Sequence, residues 1–124
     1  MPTIVHFDIP ADDPARAKKF YSGLFGWKIE RPPGPPMEYY LVETEGLDGE
    51  AGPGGGLGKR ETPEQRIMNY IGVRSVEEYI VKVEELGGKV LMPRTSVTGW
   101  GYLAICTDTE NNKFGLWEED KNAE

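Results

Sequence analysis

Apolar and polar residues alternate over residues 3–9 (TIVHFDI). Val5, Phe7 and Ile9 fall on one side and Ile4, His6 and Asp8 on the other, the period of a strand packed on one face. The period then changes. Ala17, Phe20, Tyr21 and Leu24 recur at three- and four-residue spacing, which predicts a helix to about residue 24 with that stripe buried. Asp13 supplies an N-cap, and Pro14 suits the first helical position, where the N–H it lacks would be unpaired anyway. Gly23 and Gly26 are breakers near the helix end. Residues 27–31 read as a second strand, which RPPGPP at 31–36 cannot continue. Strand formers return at 37–44 (MEYYLVET), a third strand, and a short fourth is placed near 55–57 within GGGLG.

The second half runs through the same order. Residues 69–74 predict a strand with Ile71 and Val73 packed and Tyr70 and Gly72 on the opposite face. Ser75-Val76-Glu77-Glu78 is a capping box, and Val76, Tyr79, Ile80, Val83 and Leu86 form the stripe of the helix it opens. Gly87-Gly88 stops that helix, strands follow at 89–92, 102–107 and 113–118, and the polar tail 120–124 is expected to fray. Two echoes mark the duplication: GWKIERP at 26–32 against GGKVLMP at 87–93, and GGL at 55–57 against FGL at 114–116. The pattern predicts one α+β domain over residues 1–124, made of two βαβββ repeats at about 3–58 and 67–119, with helices covering one face of the sheet. A cleft between the copies is then the natural site.

Composition narrows the partners. A chain of 124 residues supports one sizeable core, and 38% hydrophobic residues with 10% aromatics argue against disorder. A net charge of −7 repels a phosphate backbone, and no basic cluster interleaved with aromatics offsets it, so nucleic acid is not expected. No apolar run reaches the ~18 residues a membrane helix needs, and no leader pattern stands at the N-terminus. The single Cys106 cannot form an internal disulfide, which fits a reducing, cytoplasmic setting.

The glycine-rich run GPGGGLGK at 52–59 fails the phosphate-loop spacing, because Pro53 and Arg60 stand where glycine and a hydroxyl residue are required. One His and one Cys in the whole chain leave any metal to rely on carboxylates or backbone oxygens. His6 on a strand face reads first as a polar wall residue and second as an acid–base group. Cys106 shares parity with Tyr102 and Ala104; a Cys106–His6 pairing is conceivable, but a small buried hydrophobe is the simpler reading. Asp8 and Glu43 are within reach of the cleft, but a solvated rim explains both without function.

FYSGLFGW at the end of the first helix and DTENNKFGLWE at the end of the second half, in this order of elements, resemble the vicinal oxygen chelate superfamily of glyoxalase I, extradiol dioxygenases and bleomycin-resistance proteins. The resemblance implies a curved mixed sheet with helices on its outer face, and a homodimer. It also implies metal ligands on the first and fourth strands of each unit. Carried over, those positions are His6 and Gly56 in the first unit and Tyr70 and Gly115 in the second, so three of the four lack the usual ligand. Glycine at two of them opens the floor of the cleft. Tyr39, Tyr70, Tyr102 and Trp117 are expected to line the concave face, with Trp100 in TGWGY as a gate. The expected ligand contacts are therefore His6, Tyr39, Gly56, Tyr70, Trp100, Tyr102, Gly115 and Trp117, with His6 the one catalytic candidate.

The function implied is binding of a small organic molecule without a resident cofactor, as in the bleomycin-resistance type. A divergent lyase, isomerase or dioxygenase-type enzyme, working through His6 or an unforeseen divalent metal, is the alternative. An interaction module with a vestigial cleft is a third. Glyoxalase I activity is not expected, because that reaction leans on a Lewis acid.

Overall fold

A computed structural model describes residues 1–32 and 38–124. The RPPGPP turn beyond Pro32 and the expected strand start at Met37 lie outside the described residues. Among the described residues the order is β1 (Thr3–Ala11), α1 (Pro14–Phe25), β2 (Lys28–Glu30), β3 (Tyr39–Glu43), β4 (Gly54–Lys59), β5 (Met68–Gly72), α2 (Val76–Glu85), β6 (Lys89–Val97), β7 (Gly101–Thr107) and β8 (Lys113–Glu119). This is the βαβββ sequence twice over, an α+β fold with mixed strand pairing. The chain divides into two compact units, an N-terminal one of His6–Ile67 and a C-terminal one of Met1–Val5 with Met68–Glu124.

In the N-terminal unit the strands run β2-β3-β4-β1, with β1 parallel to β4 and the other pairs antiparallel. Its core holds Ile9, Ala11, Ile29, Val42 and Leu57, with Phe7, Ala17, Tyr21, Trp27 and Tyr40 packed against them. Strand β4 carries four glycines in six residues, poor material for a strand. It persists because it is paired on both sides and neighbouring rings stand in for its missing side chains. A Cβ on Gly55 would lie 2.4 Å from the Phe7 ring.

Helix α1 begins as expected, with Asp13 accepting from the Arg16 amide at 3.1 Å and Pro14 buried behind it. Its stripe is narrower than expected. Ala17 and Tyr21 meet the core, and Tyr21 stacks on Trp27 with centroids 5.4 Å apart, but Phe20 and Leu24 are about 60% exposed. One residue is about 100° of helix. Phe20, one step before Tyr21, is therefore carried off the buried line.

The C-terminal unit runs β5-β8-β7-β6, with β5 parallel to β8. Val73, Val76, Ala104, Cys106 and Leu116 form its core under α2, joined by Ile71, Tyr79, Ile80, Val83, Val90, Tyr102 and Phe114. The capping box works through Ser75, whose hydroxyl accepts from the Glu78 amide at 3.2 Å. Glu118 adds a second acceptor at the same end, 3.0 Å from the Val76 amide. Leu86, the last residue of the expected stripe, is instead the exposed C-cap.

Strand β6 continues past Met92 to Val97, carrying Pro93 through register shifts on either side of Met92. An edge strand tolerates a residue with no N–H to donate. The β7–β8 turn is held by Asp108, which accepts from the Glu110 and Asn112 amides and from Asn112 Nδ2. Those hydrogen bonds from Asn112 and Glu110 lower the Asp108 carboxyl below its ordinary range. The tail is not frayed: Ala123 is buried, its carbonyl accepts from Gly99, and Asp120 donates its amide to the Trp100 carbonyl.

Candidate functional site

Parity along β1 sends Phe7, Ile9 and Ala11 into the core and leaves His6 and Asp8 on the opposite face. Strand β4 sets Gly54 against His6 and Gly56 against Asp8. From β3, Tyr39 pairs with Gly58 and reaches diagonally over Gly56. Three side chains meet there. Tyr39 donates its hydroxyl to Asp8 Oδ1 at 2.9 Å, and His6 Nε2 lies 3.1 Å from the same oxygen and 3.3 Å from the Tyr39 hydroxyl. The His6 and Asp8 side chains are each about 30% exposed, so the cluster is shielded yet reachable.

Gly56 is the floor of this cluster, and the floor is not open. A Cβ there would lie 1.8 Å from the Tyr39 hydroxyl and 2.6 Å from Asp8 Oδ1. The C-terminal unit shows the same substitution of ring for side chain. Tyr70 pairs with Gly115, and a Cβ on Gly115 would fall 2.1 Å from the Tyr70 ring, which is itself buried. At both positions a tyrosine holds the space that a Cβ would take.

The registers also move one correspondence between the halves. Asp8 faces Gly56 and Tyr70 faces Gly115, and each precedes its helix N-cap, Asp13 or Ser75, by five residues. Tyr70 is thus the counterpart of Asp8. Met68, two residues earlier, is the counterpart of His6. The set His6, Gly56, Met68 and Gly115 still holds a single imidazole, and the space a fourth-strand carboxylate would need is filled in both units. These residues do not fit the metal of the chelate enzymes. Among the described residues no three His, Cys, Asp or Glu side chains gather as a metal site elsewhere.

The remaining expected contacts divide. Trp117 shares the Tyr70 face through its pairing with Leu103, and its indole lies beside buried Gly101. Tyr102 does not. With Ala104 and Cys106 it points into the core under α2, and the Arg94 guanidinium covers its ring at 3.6 Å. The faces of β7 are both apolar, Leu103 and Ile105 against Tyr102, Ala104 and Cys106, so alternation alone gave no direction. Cys106 is fully buried, and desolvation, with Glu84 adding to it, raises its thiol above the ordinary value. A buried, protonated thiol is no nucleophile. Trp100 is 61% exposed in the β6–β7 turn.

Asp8 stands in the cluster rather than on a solvated rim; its two-residue spacing from His6, which puts both on one face, is the signal for this in the chain. An open hollow of about 560 Å³ in the N-terminal unit, lined by Asp12, Arg60, Glu61, Thr62, Pro63 and Arg66, includes none of the expected residues. Its Arg60 is committed to Asp12 and to the Gln65 and Pro10 carbonyls. No helix among the described residues is long and apolar enough to cross a membrane.

Comparison with known proteins agrees with the architecture. The family described as bleomycin resistance protein-like N-terminal matches residues 3–45. A putative glyoxylase, CFP32, of Mycobacterium tuberculosis is 34% identical over 119 residues, 93% of this chain. The chain spans only 45% of that protein's length. A glyoxylase-like domain-containing protein of Didymella fabae is 35% identical over 86 residues, covering 68% of this chain and 67% of its own. Among solved structures, a glyoxalase/bleomycin resistance protein/dioxygenase superfamily member from Vibrio splendidus superposes with a TM-score of 0.66 at 14% identity, over 97% of this chain and all of that one. Two βαβββ units in this strand order, with relatives in sequence and in fold, place the chain in the glyoxalase/bleomycin-resistance/dioxygenase group, the vicinal oxygen chelate superfamily.

Proposed function

We propose that this chain binds a small organic molecule at the His6–Asp8–Tyr39 cluster, in the manner of bleomycin-resistance proteins and without a family-type metal centre. The observation that carries the reading is the filled space over Gly56: a phenol and a carboxylate stand where a ligating side chain would project. The cluster offers an imidazole, a carboxylate and a phenol within hydrogen-bonding distance of one another, set on rigid strands.

A thermal-shift screen of aromatic and glycopeptide-like compounds, followed by titration calorimetry of the hits, tests the proposal. Binding should weaken about tenfold in His6→Ala and in Tyr39→Phe, the scale of one lost hydrogen bond to a charged partner. Hits that bind both variants at full strength, or a broad panel with no hit, would sink it.

A second reading is favoured by the His6–Asp8 contact, an imidazole oriented by a carboxylate as in general acid–base sites. On that reading the chain is a divergent lyase or isomerase with His6 moving the proton. Turnover unaffected by chelator and lost in His6→Ala would support it; turnover that appears only with added divalent metal would contradict it. Pairing of two copies as a homodimer is a further part of the proposal, checked by sedimentation equilibrium.

A further inference from the structure

We infer that Asp8 is the positioning residue of this cluster and fixes His6 as the tautomer protonated on Nε2; the functional meaning of this inference rests on the ligand-binding reading above. The protons can be counted. Asp8 Oδ1 receives the Tyr39 hydroxyl proton across 2.9 Å. A carboxylate oxygen only accepts, so the 3.1 Å contact between His6 Nε2 and that same oxygen requires a hydrogen on Nε2. The Tyr39 oxygen, 3.3 Å from Nε2, has directed its own proton to Asp8 and turns lone pairs toward the imidazole. Asp8 and Tyr39 each face Nε2 as an acceptor, and its N–H is shared between them.

Whatever neutral His6 accepts, it accepts through Nδ1. A general-base step would take the substrate proton there, not at Nε2. Nε2 could ligate a metal ion only by giving up its proton and breaking both contacts. The backbone makes the arrangement possible. Asp8 sits two residues from His6 on the same face, and its register partner Gly56 has no side chain to compete for the space. Tyr39 completes the cluster from β3 and, by occupying Asp8 Oδ1, holds the carboxylate in place beside the ring.

His6 is the only histidine in the chain, so one imidazole appears in the spectrum. Long-range ¹H–¹⁵N correlation on the full chain, at a pH where the ring is neutral, should show the Nε2–H pattern, with the unprotonated nitrogen assigned to Nδ1. Asp8→Ala should relax this to a mixture of tautomers. Asp8→Asn, whose amide oxygen still accepts, should retain most of the Nε2–H form, and so should Tyr39→Phe. Amide fingerprints confirm that each variant is folded, and the wild-type pattern alone decides if Asp8→Ala does not fold. An Nδ1–H tautomer in the wild type, or an Nε2–H pattern untouched in folded Asp8→Ala, overturns the inference. A confirmed tautomer alongside an empty ligand screen would instead reject the binding reading and leave the role of Asp8 standing.

Discussion

Two glycines separate functional crowding from structural crowding. At Gly56 an added methyl would press on the tip of Tyr39 and on Asp8 Oδ1, both able to swing away. At Gly101 it would press on the Glu118 carbonyl oxygen at 2.1 Å, which is backbone and cannot yield without disturbing the β7–β8 pairing. Gly56→Ala should therefore cost about 1 kcal/mol and displace Tyr39 from the cluster, while Gly101→Ala should cost about 3 kcal/mol or fail to fold. Urea melts of the two variants check the order; equal losses would mean that Tyr39 is as immobile as the sheet. Part of the site is legible in the chain alone, because His6 and Asp8 share a face by spacing. The cover that Tyr39 lays over Gly56 is not, since it depends on a β3–β4 register that no local pattern specifies. The apolar residues on both faces of β7 hid the true direction of Tyr102 for a related reason.

Among the elements, the two helices are anchored differently. Helix α2 is tied at its start by Ser75 and by Glu118, and Val76 is wholly buried beneath that end. Ser75→Ala should cost about 1 kcal/mol, with the Glu118 contact limiting the loss. Helix α1 depends on aromatic packing, Tyr21 on Trp27 and Phe7 on Trp27. Tyr21→Ala should cost about 2–3 kcal/mol, whereas Leu24→Gln, at an exposed position of the same expected stripe, should stay within about 0.5 kcal/mol. Thermal denaturation of the pair measures how much of the stripe is in contact, and comparable losses would put Leu24 in the core. The helices and their caps were readable because they are local: Asp13, Pro14 and Ser75 act within three residues. Strand lengths were not. Lys59, Ser96 and Val97 belong to strands because their partners reach that far, and Ala123 is ordered because the Gly99 amide donates to its carbonyl.

At the scale of the whole molecule, Cys106 links folding to alkaline pH. It is the only thiol of the chain and lies at the centre of the C-terminal unit's core, where burial raises its thiol above the ordinary value and Glu84 raises it further. The sign follows from proton binding. Between the unfolded thiol value, roughly 8.5, and the higher folded one, the folded chain keeps a proton that the unfolded chain has lost. Stability contributed by this group is then full below the unfolded value and falls as pH rises toward and through the folded one. The informative quantity is a difference between proteins, which isolates this one group. The gap in unfolding free energy between wild type and Cys106→Ala should be constant up to about pH 8 and should narrow above it, as the wild type alone loses ground. The same burial should make the native thiol slow to react with an aromatic disulfide reagent until the C-terminal unit opens. A gap independent of pH, with a thiol that reacts at the rate of the unfolded chain, would show that Cys106 is reached by solvent in the native state.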